Sequence, residues 1–105
     1  MEIRNVKHKG FKRFIETGSL KGVKGLPSQY RDKFRDILTY LTEIDAIDEV
    51  YNLTNYKAHT LTGDRTGTIS FHITGNWRIT FEHDEETNEI YDLNYEDYHD
   101  KKRKR

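Results

Sequence analysis

The stretch ISFHITGNWRITFE, residues 69–82, decides the fold. Ile69, Phe71 and Ile73 alternate with Ser70, His72 and Thr74, and after Gly75-Asn76 the residues Trp77, Ile79 and Phe81 alternate with Arg78, Thr80 and Glu82. Successive side chains of an extended chain point to opposite faces, so each run reads as a half-buried strand. A two-residue turn at Gly75-Asn76 pairs Ile73 with Arg78 and mixes the faces. A three-residue turn, Thr74-Gly75-Asn76, pairs Ile73 with Trp77 and His72 with Arg78, and so keeps the apolar residues together. That register is the expected one. It places Ser70, His72, Arg78 and Thr80 on one polar face and Trp77 in the core.

Working outward toward the N-terminus, Leu26, Tyr30, Phe34, Ile37, Leu38, Leu41 and Ile44 follow the stripe of an amphipathic helix, with Ser28 as its expected N-cap. Ile47, Val50 and Tyr51 are expected to continue helical after a break near Asp45. Phe11, Phe14 and Ile15 share one face of a shorter helix over residues 10–17, with Gly18 as its C-terminal cap and a Gly-rich linker, 18–27, behind it. Residues 1–8 read as an edge strand. Toward the C-terminus a last strand covers residues 89–95 with Tyr91, Leu93 and Tyr95 turned to the core. The fold class is therefore α+β, with two N-terminal helices packed on one face of an antiparallel sheet of four to five strands.

Composition bounds what such a fold can do. A chain of 105 residues holds one hydrophobic core, so residues 1–100 are expected to form a single domain, with residues 101–105 as a disordered basic tail. The apolar share is 33%, which makes the core thin, while zero net charge and 12% aromatic residues argue against disorder. No cysteine is present, which excludes a disulfide framework and a thiolate metal site. The lack of a long apolar run leads to the expectation of a cytoplasmic protein with no membrane association. Charge is strongly segregated. Residues 1–36 carry ten Lys/Arg against four Asp/Glu, residues 37–100 carry three against fourteen, and residues 101–105 are all basic. Basic ends suit a polyanion such as RNA, and the acidic middle excludes a uniformly basic nucleic-acid binder.

The segments HTLTGDR (59–65), GNWRITF (75–81) and LNYEDYH (93–99), with VKHKG (6–10) near the start, closely resemble the HigB branch of the RelE toxin superfamily. The resemblance covers nearly the whole chain. It implies a RelE-like microbial ribonuclease fold and an enzyme that enters the ribosomal A site and cleaves the mRNA under translation, with no metal or other cofactor. It also implies a helix-turn-helix, HigA-like antitoxin as partner, with operator DNA reached only through that complex. By motif match, His59, Arg78, Asp97, Tyr98 and His99 occupy positions that carry or support cleavage in such toxins. The chain departs from the pattern at Thr62, where relatives commonly have Lys, and at Thr68-Ile69, which replaces an aromatic pair.

These residue types suit metal-free RNA cleavage. The reaction needs a base for the 2′-hydroxyl proton, cations for the phosphate oxygens, and an acid for the departing 5′-oxygen. Asp97 or His59 can serve as base and His99 as acid, and the opposite assignment fits the sequence equally well. Arg78 is the expected phosphate clamp, with Arg65, Lys57, Lys101 and Lys102 as further RNA-binding cations and Tyr98 stacking on a base or bonding the phosphate. Simpler readings stand beside these. A single histidine is more often a surface residue, Arg78 can merely pair across strands, and His59, Asp97 and His99 can be read as a zinc or iron site lacking a further ligand. His8, His72 and His83 read as structural or solvent-facing. Two other functions share the fold: a catalytically degenerate relative that only binds the antitoxin and regulates the operon, and a gyrase poison, which the intact Asp97-Tyr98-His99 string opposes.

Overall fold

The computed structural model describes residues 1–98; His99 and the tail that holds Lys101 and Lys102 lie outside the described residues. Helix α1, Lys9–Thr17, buries Phe11 and Phe14 and ends at Gly18, whose φ of 73° lets its N–H reach the Phe14 carbonyl at 2.7 Å. Left-handed backbone of this kind favours glycine, which has no Cβ to clash. At the other end His8 is the N-cap, its Nδ1 accepting from the Phe11 N–H at 3.0 Å. Helix α2, Arg31–Glu43, buries Phe34, Ile37 and Leu41. Ser28 does not cap it. Residues Ser28–Tyr30 tighten into a 3-10 turn closed by Tyr30 N–H to the Pro27 carbonyl at 3.1 Å, so α2 starts one turn later than the stripe suggests. After α2 a 3-10 segment, Ile47–Asn52, inserts Val50 into the core and leaves Tyr51 exposed.

The sheet is a four-stranded antiparallel meander in the order β1 (His59–Thr60), β2 (Ile69–Thr74), β3 (Trp77–Asp84) and β4 (Glu89–Asp97). The β2–β3 ladder pairs Ile69 with Phe81, Phe71 with Ile79 and His72 with Arg78, the register that keeps the apolar face whole. At its end the ladder shifts so that Thr74 faces Trp77, and the turn narrows to Gly75-Asn76. The extra residue is absorbed as an irregularity between His72 and Thr74, not in the turn.

A second irregularity corrects the reading of β4. The partner of Thr80 is Asn94, but that of Glu82 is Tyr91, so an additional residue sits in β4 beside Asp92, which has a φ of 52°. One inserted residue inverts the alternation beyond it. Ile90, Leu93 and Tyr95 are therefore buried, and Tyr91 leaves the core for the polar side, where Arg4 lies 5.1 Å from its ring. The same bulge explains why residues 1–8 form no regular strand. Ile3 and Val6 make isolated parallel bridges to Ile90 and Leu93, and between them the Asn5 amide grips Asp92 through two 3.0 Å bonds.

Both helices cover one face of the sheet. Phe34 joins them to it, with ring centroids 5.8 Å from Phe11, 6.4 Å from Phe14 and 5.2 Å from Tyr95. The Phe14 and Tyr95 contacts are edge-on and the Phe11 contact is tilted; such aromatic pairs add about 0.5–1.5 kcal/mol each beyond their buried area, a useful supplement for a thin core. The linker lies against α1 so closely that a Cβ on Gly10 would meet the Lys24 carbonyl at 2.2 Å. Among the described residues no helix is long and apolar enough to cross a membrane.

Candidate active site

The sheet face away from the helices carries the candidate chemistry. Strand alternation and register place His59 with Ser70 and Thr80, and His72 with Arg78 and Glu96, on that face. Its centre is less open than the sequence suggests. Ser70 and Thr80, expected on an exposed polar surface, are 0% and 1% exposed. Thr80 Oγ1 donates to Glu96, and Glu96 takes Arg65 in a bidentate pair with both contacts at 2.8 Å. Arg65 arrives from the 3-10 turn Gly63–Arg65 and thereby closes the loop over the buried hydroxyls. Its guanidinium holds the Glu96 carboxyl below the ordinary carboxylate range against the opposing effect of burial, with Thr80 adding to the effect. Arg65 also lies 5.7 Å from the Tyr98 ring. It is thus committed to Glu96 before any phosphate arrives.

Arg78 is held differently. Its Nη1 donates to the Gly75 carbonyl at 2.8 Å and to its neighbour's, Trp77, at 3.2 Å, and among the described residues it forms no ion pair with a carboxylate. Two carbonyls neutralise no charge, so the guanidinium stays positioned and fully cationic. His72 shares the Gly75 carbonyl through Nε2 at 3.2 Å. Because a carbonyl only accepts, Nε2 carries the proton and Nδ1 offers its lone pair. Burial lowers the His72 pKa first, and the charges of Arg78, Lys57 and Lys33 push the same way. The cross-strand pairing of His72 with Arg78 is the one the register predicts.

Lys57 stands in the left-handed region with φ of 51°, directly after the 3-10 turn Thr54–Tyr56. A side-chain-bearing residue there is uncommon and strained. The conformation aims the Lys57 carbonyl at His59, whose Nδ1 lies 3.0 Å away and must be the protonated nitrogen of the ring. His59 is exposed, and its Nε2 is not engaged by that bond.

The structure divides the remaining candidates. Tyr98 continues the β3–β4 pairing through its backbone N–H to the Asn76 carbonyl at 2.8 Å, beside the turn that holds Arg78. Asp97 faces Trp77 in the register and so lies across the pleat from Arg78 and Glu96, at the end of the sheet. Trp77 is not a core residue. It is 38% exposed and stacks on Tyr95 with centroids 4.8 Å apart, because as the first residue of β3 it lies past the aromatic cluster that α2 covers. His99, Lys101 and Lys102 fall outside the described residues. Among the described residues no group of three or more His, Asp or Glu could hold a metal ion. The arrangement offers a fixed guanidinium, two imidazoles each held at one ring nitrogen by a backbone carbonyl, and a local excess of cations at the turn end of the sheet.

Residues 4–99 match the family model of the RelE-like toxin of type II toxin-antitoxin system HigB. The endoribonuclease HigB of Proteus vulgaris is 42% identical over 97 residues, covering 92% of this chain and 99% of that protein.

Proposed function

Because this chain belongs to the RelE-like HigB toxins of type II toxin-antitoxin systems, we propose that it is an endoribonuclease that cuts mRNA in the ribosomal A site. The observation that carries the reading is Arg78, fixed by the Gly75 and Trp77 carbonyls yet paired with no carboxylate among the described residues. A cation held in this way meets the negative charge that grows on a phosphate without first having to reorganise. Cleavage proceeds by attack of the 2′-oxygen on phosphorus and departure of the 5′-oxygen, leaving a 2′,3′-cyclic phosphate and a 5′-hydroxyl. Arg78 holds the phosphoryl oxygens, with Lys57 adding positive potential and Arg65 supporting through Tyr98. Asp97 or His59 takes the 2′-hydroxyl proton and His99 supplies a proton to the leaving oxygen. The phosphate lies at the turn end of the sheet, where the side carrying Arg78 and the side carrying Asp97 meet. Lys101 and Lys102 add contact with RNA that weakens with salt.

As a type II toxin the chain has an antitoxin partner. We assign that partner to the helix-turn-helix, HigA-like class, with operator DNA bound only through the complex and the toxin acting in the cytoplasm, where ribosomes translate. The test is a translation reaction with purified ribosomes and a defined mRNA. Cuts that appear only when ribosomes are present support the proposal. Intact mRNA with normal translation would point instead to a non-catalytic antitoxin-binding relative, and DNA breakage with gyrase to a topoisomerase poison.

A further inference from the structure

Beside the catalytic face, a groove of about 510 Å³ opens on the helix side of the same sheet end, lined by Pro27, Tyr30, Thr74, Trp77 and Tyr95 among others. That volume lies within the range of roughly 300–1,000 Å³ typical of small-ligand clefts. Its walls are aromatic. Tyr95 covers one face of Trp77 in a near-parallel stack, with 21° between the planes, and the indole keeps 38% of its surface exposed. Among the described residues the groove's lining includes no carboxylate. Lys33 stands at Tyr30, its Nζ 5.3 Å from the ring centroid and bonded to the Ile73 carbonyl at 2.9 Å, while Tyr30 and Thr74 bring hydroxyls. An aromatic slot with polar edges and a cation at its rim matches a flat, polar-edged ring carried on a phosphodiester chain.

We propose that this groove is the stacking subsite for the mRNA base of the nucleotide whose 2′-hydroxyl is attacked, with Trp77 as its platform; the assignment rests on the ribonuclease reading above. Three positions tie the groove to the chemistry. Trp77 and Arg78 are consecutive in β3 and project to opposite sides. The Trp77 carbonyl is one of the two that hold the Arg78 guanidinium. Asp97 is Trp77's partner across the β3–β4 pair. A nucleotide wrapped around the Gly75-Asn76 turn therefore sets its base on Trp77, its ribose beside Asp97 and its 3′-phosphate toward Arg78. The register that separates Asp97 from Arg78 is what one nucleotide bridging the sheet end requires.

Trp77 is the sole tryptophan, so its fluorescence reads the groove directly. Titration of the full chain with a 2′-O-methyl RNA trinucleotide, which cannot be cut, is expected to quench it saturably, while ribose 5-phosphate at the same concentration leaves it unchanged. In ribosome-dependent cleavage Trp77→Leu is expected to lower kcat/KM by roughly 5- to 150-fold, the factor that loss of a base–aromatic stack carries. Trp77→Phe should keep most of the activity, and the loss in Trp77→Leu should be larger when a purine precedes the cut. No quenching, together with wild-type cleavage by Trp77→Leu, overturns the subsite and leaves the ribonuclease reading standing. An equal loss on every message overturns the assignment to the substrate base, since a ribosomal RNA base on Trp77 gives that pattern. If the wild-type chain cuts nothing, the ribonuclease reading fails and the titration alone decides whether the groove takes a base.

Discussion

Replacing Glu96 by Gln removes one charge while keeping the shape that meets Thr80 and Arg65. The pair it dismantles is bidentate, with both contacts at 2.8 Å and side-chain exposures of 36% for Arg65 and 22% for Glu96. Hydrogen bonds to charged groups contribute about 1.5–3 kcal/mol when shielded and exposed ion pairs about 0–1 kcal/mol, so partial screening places this coupling at about 1–2 kcal/mol. In a domain of this size each kcal/mol moves Tm by roughly 4–8 °C. Urea unfolding of the wild type, Glu96→Gln, Arg65→Gln and the double variant at pH 7 isolates the coupling. Its sign with pH follows from the depressed Glu96 pKa, caused first by the Arg65 hydrogen bonds. A carboxylate lowered in the folded state adds stability above its unfolded value, about 4.3, and that stability is lost as pH falls through the folded value. The gap between wild type and Glu96→Gln should therefore close as pH drops below about 4. A coupling near zero at pH 7, or one that persists unchanged in acid, would refute the claim that this pair ties the 61–68 loop to the sheet.

Further predictions concern the packing that holds the face in place. His8 accepts the Phe11 N–H through Nδ1 and burial lowers its pKa, so its cap is present above the unfolded value of about 6.5 and is lost as pH falls through the lower folded value. Thermal melts from pH 7.5 to 5 should show this decline in the wild type but not in His8→Asn, which caps without titrating, while His8→Ala should cost about 1 kcal/mol at pH 7.5. Gly10→Ala drives a Cβ to 2.2 Å from the Lys24 carbonyl, and because backbone must move, a loss of about 1–3 kcal/mol or more is expected in urea titration. Arg65→Gln should reduce ribosome-dependent cleavage far less than loss of Arg78, since its charge is already taken by Glu96; equal losses would show that Arg65 leaves Glu96 to bind RNA.

What the sequence revealed and what it hid have a common physical cause. The Phe34, Ile37 and Leu41 stripe, the Gly18 cap and the His72–Arg78 register were legible because each is set by periodicity or backbone sterics within a few residues. The Asp92 bulge was not, since it depends on Asn5, which is 87 residues away. With the bulge unseen, Tyr91 took the core place that belongs to Ile90. The Arg65–Glu96 pair joins residues 31 apart in sequence, and only the folded loop shows that Arg65 is spoken for. The motif strings brought Arg78, Asp97 and Tyr98 to one end of the sheet, but strand alternation set Asp97 on Trp77's side, which no reading of spacing alone conveys.

The most direct test compares Arg78→Ala with the wild type on mRNA held in programmed ribosomes, mapping the cut ends. Arg78 bonds only the Gly75 and Trp77 carbonyls among the described residues, so the variant should fold with an unchanged melting profile. Loss of one preorganised transition-state donor costs about 100- to 1,000-fold in rate, and a drop of that size is expected. A folded Arg78→Ala protein that cuts ribosome-bound mRNA at the wild-type rate would contradict the account.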